Sequence, residues 1–311
     1  MIHPTRMYAS VMRMLRHRNA ALAAAALALL IAATLPPLPL ARNVFTHLVV
    51  LDITQSMYVV DQQIDGRPVS RLELARQGLI RAVAQLPCGS QIGLGIFSSR
   101  RTLLLLSPVE VCRNRAELDN AIMQIDARMA WEEASVIARG VYSATDVAVE
   151  LAQRPSLIFM SDGQESPPMA TIPEFDRPKN RVKGVLVGVG GDTAMPIPRL
   201  DKDARQIGWW RAADVVQRPT PAGFGVDQEH LSSLHAEHLQ GLAEVTGLRY
   251  ARMTSASSLL TILSAPDLQR SLVVPTDLRH IPAALAALLL ALHFLPALAA
   301  LRKHMRSLIR R

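Results

Sequence analysis

Acidic residues are missing from both ends of this chain. Residues 1–19 hold Arg6, Arg13, Arg16 and Arg18, and residues 302–311 hold Arg302, Lys303, Arg306, Arg310 and Arg311, with no acid in either tail. The formal charge of +8 therefore belongs to the tails, and the middle carries 25 basic against 26 acidic residues. Aromatics are also scarce, at 4%. A middle with neither basic excess nor stacking platforms excludes nucleic-acid binding. Cysteine is limited to Cys88 and Cys112, too few for a disulfide-built scaffold. An even pair can still bridge in an oxidising compartment; the other reading is two unrelated small buried residues. The chain lacks a Gly-x-Ser-x-Gly elbow and a Gly-x-x-x-x-Gly-Lys phosphate loop, which removes two large enzyme classes.

What is abundant is apolar. Half of the 311 residues are hydrophobic and only 19% are charged, and the mean hydropathy is +0.18. The excess lies in two uncharged runs, Ala20 to Ala41 and Ile281 to Leu301. A bilayer needs about 20 apolar helical residues, so both segments are expected to be transmembrane. The first is interrupted at Pro36 and Pro37 and also fits a signal-peptide h-region, although Pro39-Leu40-Ala41 makes a poor cleavage site. Basic flanks stay cytoplasmic. The expected organisation is a cytoplasmic tail (1–19), an anchor or signal segment (20–41), and an exported domain (42–255) with an insertion at 196–225. A linker (256–280), a membrane helix (281–301) and a second cytoplasmic tail (302–311) follow. In a bacterial-looking chain, that places the main domain in the periplasm, anchored in the inner membrane.

The middle alternates strand and helix patterns. Thr46 to Leu51, Ile92 to Phe97, Thr102 to Leu106, Leu157 to Met160, Val182 to Val189 and Leu248 to Arg252 are short apolar runs of the buried-strand type. Between them, Arg71 to Leu86 repeats leucine and alanine at helical spacing. A helix is expected from the cap at Asn114, with Glu117 three residues on. Two further helices are expected, over Val136 to Gln153 and over Leu231 to Val245 with Gly247 as its C-terminal cap. Strands separated by helices imply a doubly wound, mostly parallel α/β sheet covered on both faces.

One constellation carries chemistry. Asp52 and Asp162 stand just past the ends of two buried strands, where a doubly wound sheet opens its ligand crevice. Thr54 and Ser56 follow Asp52 at alternate positions. Hard oxygens at this spacing suit Mg²⁺, Mn²⁺ or Ca²⁺, and nothing soft is present for zinc or copper. Alone, Asp52 would read as a helix cap or turn residue; the combination favours a metal site.

Asp52-Ile53-Thr54-Gln55-Ser56-Met57 resembles the Asp-x-Ser-x-Ser motif of von Willebrand factor A (VWA) domains, with threonine for the first serine. Ser161-Asp162-Gly163 is similar to the second acidic motif of that family. The resemblance spans Phe45 to Met253 and implies a metal-ion-dependent adhesion site, with Ser135 in the place of the family's helix-front threonine. Ser135 also reads as a helix N-cap. Leu86-Pro87-Cys88-Gly89-Ser90, Val111-Cys112-Arg113 and Val187-Gly188-Val189-Gly190-Gly191-Asp192 look most like the membrane-anchored MxaL-type members found with methanol oxidation genes. That likeness implies an accessory role in maturing a calcium- and quinone-dependent methanol dehydrogenase. A general envelope-stress or assembly protein resembling the aerotolerance Bat proteins is the alternative, and a Mg²⁺-dependent hydrolase a more distant one.

The incomplete coordination of such a site implies a partner protein that offers an acidic residue, with no catalysis by this chain. Asp61 and Glu165 are expected on loops at the same rim, either solvated, reaching the metal's outer shell, or contacting the partner. Trp209 and Trp210 are read either as a partner-binding hot spot or as side chains folded back on the insertion. His293 and Pro296, inside the last apolar run, are expected to be structural.

Overall fold

The structure is a computed structural model. It describes residues 20–308 apart from 133, 168, 170 and 216–228, with side chains as far as residue 295. The tail 1–19, part of the insertion (216–225) and the side chains of Pro296 and of the second tail lie outside the described residues. The chain divides into an inner unit, Arg42–Leu272, and an outer unit made of Met1–Ala41 and Val273–Arg311.

The first half runs α1 (20–34), β1 (Leu38–Val44), β2 (Thr46–Asp52), β3 (Gln62–Ile64), β4 (Arg67–Val69), α2 (Arg71–Val83), β5 (Gln91–Ser98), β6 (Arg101–Glu110), α3 (Arg115–Gln124) and α4 (Ile137–Glu150). Then come β7 (Ser156–Ser161), β8 (Gly184–Val189), β9 (Met195–Pro196), β10 (Pro198–Leu200), β11 (Gln206–Trp209), β12 (Leu231–Ser232), α5 (Ala236–Thr246), β13 (Arg249–Met253), α6 (Ser258–Leu263), β14 (Arg270–Thr276) and α7 (His280–Leu308).

The inner unit is built on a six-stranded sheet in the order β13-β8-β7-β2-β5-β6, parallel except for the edge pair β5–β6. The expected mostly parallel α/β sheet is therefore present. Its central strand shows why. All seven residues of β2 are buried, and the two-residue period of a strand sends neighbours to opposite faces. Val49 and Leu51 join a core with Leu72, Ala75 and Leu79 of α2, Leu118 and Ile122 of α3, and Leu259 and Leu263 of α6. Leu48 and Val50 join the opposite core, with Val141 and Ala144 of α4 and Leu239 and Leu242 of α5. From β2 the chain winds to β5 on one side and returns through α4 to β7 on the other. The switch point thus falls between the carboxyl ends of β2 and β7.

Several expectations need correction. Residues 231–235 are not helical: β12 pairs antiparallel with β9, and the helix begins only at Ala236. Gly247 does cap that helix, in the left-handed conformation at φ 78°. Asn114 precedes α3 without a side-chain cap; its Nδ2 donates instead to the Glu110 carbonyl at 2.8 Å. The stretch 256–280 is no plain linker, because α6 buries Leu259 and Leu263 and packs on α2.

In the outer unit, helix α1 stops at 34, ahead of Pro36 and Pro37, and Leu38–Val44 forms a strand paired with β14. Proline removes the backbone donors a continuing helix would need. The expected helical span over 20–41 is therefore shorter than drawn. Among the described residues no helix is long and apolar enough to cross a membrane, so the expected transmembrane helices over 20–41 and 281–301 are not supported.

Candidate metal centre

Asp52 ends β2 and Asp162 follows β7, so the parallel pairing of these neighbouring strands brings the two carboxylates to one end of the sheet. Both are fully buried. Asp52 Oδ1 accepts from the Thr54 amide at 2.9 Å and from the Thr54 hydroxyl at 2.7 Å, and Oδ2 accepts from the Ser161 hydroxyl at 2.7 Å. Thr54 Oγ1 lies 3.2 Å from Ser56 Oγ. Burial, followed by the like charge of Asp162, pushes the Asp52 carboxyl up to about 7. A carboxylate so destabilised is one that a cation would favour.

Ser135 arrives from the opposite side. Its backbone exchanges two hydrogen bonds with Ser166, and its hydroxyl donates to the Gln164 carbonyl at 3.0 Å. It is not the N-cap of α4, a position held by Val136. Thr54, Ser56 and Ser135 together line one cavity of about 350 Å³, and the two carboxylates stand behind them.

Sequence reasoning missed Arg71. It occupies the first position of α2, where a cation opposes the helix dipole, and that was the available signal. Its side chain is fully buried among acids. Nη1 donates to Asp162 Oδ2 at 2.6 Å, while Nε and Nη2 donate to Asp61 Oδ2 at 2.9 and 2.7 Å. Ser232, on β12, accepts from Arg71 and donates to Asp162 Oδ2 at 3.0 Å. Burial opposes ionisation of Asp61, yet the hydrogen bonds and charge of Arg71 hold its carboxyl below the usual range.

Asp61 and Glu165 are thus placed differently from the expected solvated rim. Asp61 is bound to Arg71 and to the Gly191 amide at 2.9 Å. Glu165 accepts from the Ile137 and Ala138 amides at 2.9 and 3.0 Å and so caps α4 by charge. The two tryptophans separate. Trp209 is 50% exposed on β11, whereas Trp210 Nε1 donates to Gln55 Oε1 at 2.7 Å and its ring lines the cavity.

The donor set fits a hard divalent cation. One guanidinium, that of Arg71, pairs with both Asp61 and Asp162, and Asp52 beside them has no basic partner. Hydroxyls open to a cavity in front of buried carboxylates suit an ion that keeps part of its water shell, as Mg²⁺ does. Cys88, Glu110 and Cys112 also cluster, but the two sulfurs are joined in a disulfide, so that corner is no metal site.

Residues 47–164 match the family of the von Willebrand factor type A domain. The matched stretch runs from β2 to the Asp162 loop and includes Asp52, Thr54, Ser56, Ser135 and Asp162. No curated protein matches the chain. Among solved structures, the chain is similar to an aerotolerance-related membrane protein from Bacteroides fragilis at 15% identity and a TM-score of 0.47, covering 70% of this chain and 96% of that one. It is also similar to the conserved hypothetical protein BatB from Bacteroides thetaiotaomicron, at 18% identity and a TM-score of 0.47, covering 70% and 94%. Likeness at this level transfers no function.

Proposed function

We propose that the von Willebrand factor type A domain of this chain is a binding module that docks a partner protein through a divalent cation. The cation is held by the hydroxyls of Thr54, Ser56 and Ser135, with Asp52 and Asp162 behind them. The observation that carries this reading is the donor arrangement: buried carboxyl groups that outnumber the one buried guanidinium, behind three hydroxyls that line one cavity. A cation held by these residues would supply the charge that binds a partner's carboxylate. The chain's own residues set its strength. Arg71 lowers the negative charge behind the site and fixes Asp162 from behind, and Ser161 and Thr54 fix Asp52.

Calorimetric titration of Mg²⁺, Mn²⁺ and Ca²⁺ into the chain and its Asp52→Ala variant tests this. Saturable one-site binding, lost in the variant, is the expected result. A folded wild-type protein that binds none of the three overturns it.

The partner we propose is a calcium- and quinone-dependent methanol dehydrogenase or one of its accessory proteins, on the likeness of the segments around Cys88, Cys112 and Val187 to MxaL-type proteins. The bridging of Cys88 to Cys112 supports an oxidising compartment, the periplasm. Seating at the inner membrane is supported by apolar side chains that the outer unit leaves exposed, among them Leu27, Leu30, Leu288 and Leu292. Co-purification of methanol dehydrogenase subunits with the native chain is the expected outcome. Their consistent absence transfers the role to general envelope-stress assembly of the Bat type.

A further inference from the structure

We infer that the cavity before the metal centre selects a partner segment in which a single carboxylate stands beside an apolar side chain, and that Trp210 is the wall reading that apolar side chain. This rests on the metal-dependent docking proposed above and adds what the partner must look like.

The wall is built by the insertion and fastened to the metal motif itself. Gln55 lies between Thr54 and Ser56, and its side-chain oxygen accepts the Trp210 indole N–H at 2.7 Å. The Trp210 amide donates to the Ile197 carbonyl at 3.0 Å, and the Arg199 guanidinium lies 5.0 Å from the indole ring. The ring is therefore fixed from three directions. With Ile197 and Val215 it gives the cavity apolar lining alongside Thr54 and Ser56. About 350 Å³ admits one or two side chains of an extended segment and excludes a helix or a flat face.

Charge narrows the ligand further. Asp214 lines the cavity, and among its described lining residues none is basic. Without a cation the cavity repels a carboxylate, and with one it accepts a carboxylate at a single point. A second acid in the ligand would then face Asp214. An acidic tail is excluded on this ground, and a lone acid with an apolar neighbour fits. The carboxylate is supplied either by an aspartate or glutamate side chain or by a chain terminus.

The test is calorimetry of the full-length chain in mild detergent, first with Mg²⁺ alone and then with short peptides in its presence. Three peptides are capped at both ends: Gly-Leu-Glu-Leu-Gly, Gly-Ala-Glu-Ala-Gly and Gly-Glu-Glu-Glu-Gly. A fourth, Gly-Gly-Leu, keeps its free terminal carboxylate. The leucine-flanked peptide is expected to bind about tenfold more tightly than the alanine-flanked one, with the triple-glutamate peptide weakest. The ratio should approach one in Trp210→Ala and survive in Trp210→Phe. Tight binding of Gly-Gly-Leu assigns the carboxylate to a chain end and weak binding assigns it to a side chain; both support the inference.

Equal affinity for the leucine and alanine peptides overturns the inference while leaving metal docking intact, and so does a ratio that persists in Trp210→Ala. Failure of Mg²⁺ to bind, or peptide binding undiminished by EDTA, removes the docking reading itself.

Discussion

The two ends of the central sheet are closed by opposite means. At the carboxyl ends of β2 and β7, buried acids outnumber the one buried guanidinium, that of Arg71. At the other end of β5 and β6, Cys88 and Cys112 are covalently joined across 24 residues of sequence. Glu110 there takes the Gly89 amide at 2.7 Å and the Arg113 amide at 2.6 Å. The bridged corner is closed by a covalent link and by hydrogen bonds that Glu110 accepts from backbone amides, whereas the acidic end is left electrostatically incomplete. The same six strands thus hold a stabilising end and a reactive end, and damage to each should be read by a different instrument.

The largest effect is expected at the acidic end. Arg71→Met strips the buried guanidinium from Asp61 and Asp162 and should destabilise the metal-free protein by about 3–5 kcal/mol, the usual result of orphaning one side of a buried ion pair. Chemical denaturation measures it, and added Mg²⁺ should return part of the loss. A loss under 1 kcal/mol would show that the acids are neutral there.

The bridged end comes next. Replacing Cys88 and Cys112 together by serine should cost about 3 kcal/mol through a freer unfolded chain, with Mg²⁺ affinity unchanged. A parallel fall in Mg²⁺ affinity would break the division of labour between the ends.

The third effect is a pH dependence. In the folded metal-free protein Asp52 titrates near 7, against about 3.9 in an unfolded chain. The folded state therefore holds a proton that the unfolded state has released between those values. Stability contributed at low pH is lost as pH rises toward 7. Asp52→Asn should stabilise the metal-free protein by about 4 kcal/mol at pH 8 and by almost nothing at pH 4. Thermal melting in EDTA at both pH values measures it; an equal shift at both would place the cause outside Asp52 ionisation.

Much of this was legible in the chain. The apolar runs around Leu48 and Leu157 marked central strands, because a strand buried on both faces has no polar side to show. Asp52, Thr54 and Ser56 were legible as a group since a strand end and two-residue spacing set their positions locally. Ser135 was placed by resemblance, and the structure brings it to the same cavity as Thr54 and Ser56. Less local features were misread. Residues 231–234 carry helical spacing, but pairing of β12 with β9 overrides it and delivers Ser232 to Arg71. Asp61 and Glu165 looked like solvated loop acids; one is drawn inward by Arg71 and the other by the free amides at the start of α4.

The sequence by itself determined the sheet, its two covering layers, the metal-type oxygen motif and the cysteine pair, because each follows from short-range periodicity or a few fixed neighbours. Tertiary structure alone decided what surrounds that motif. Arg71 meets Asp162 across 91 residues and Trp210 meets Gln55 across 155. Contacts of that separation leave no periodic trace: buried charges and donors must find partners wherever the packed chain happens to bring them.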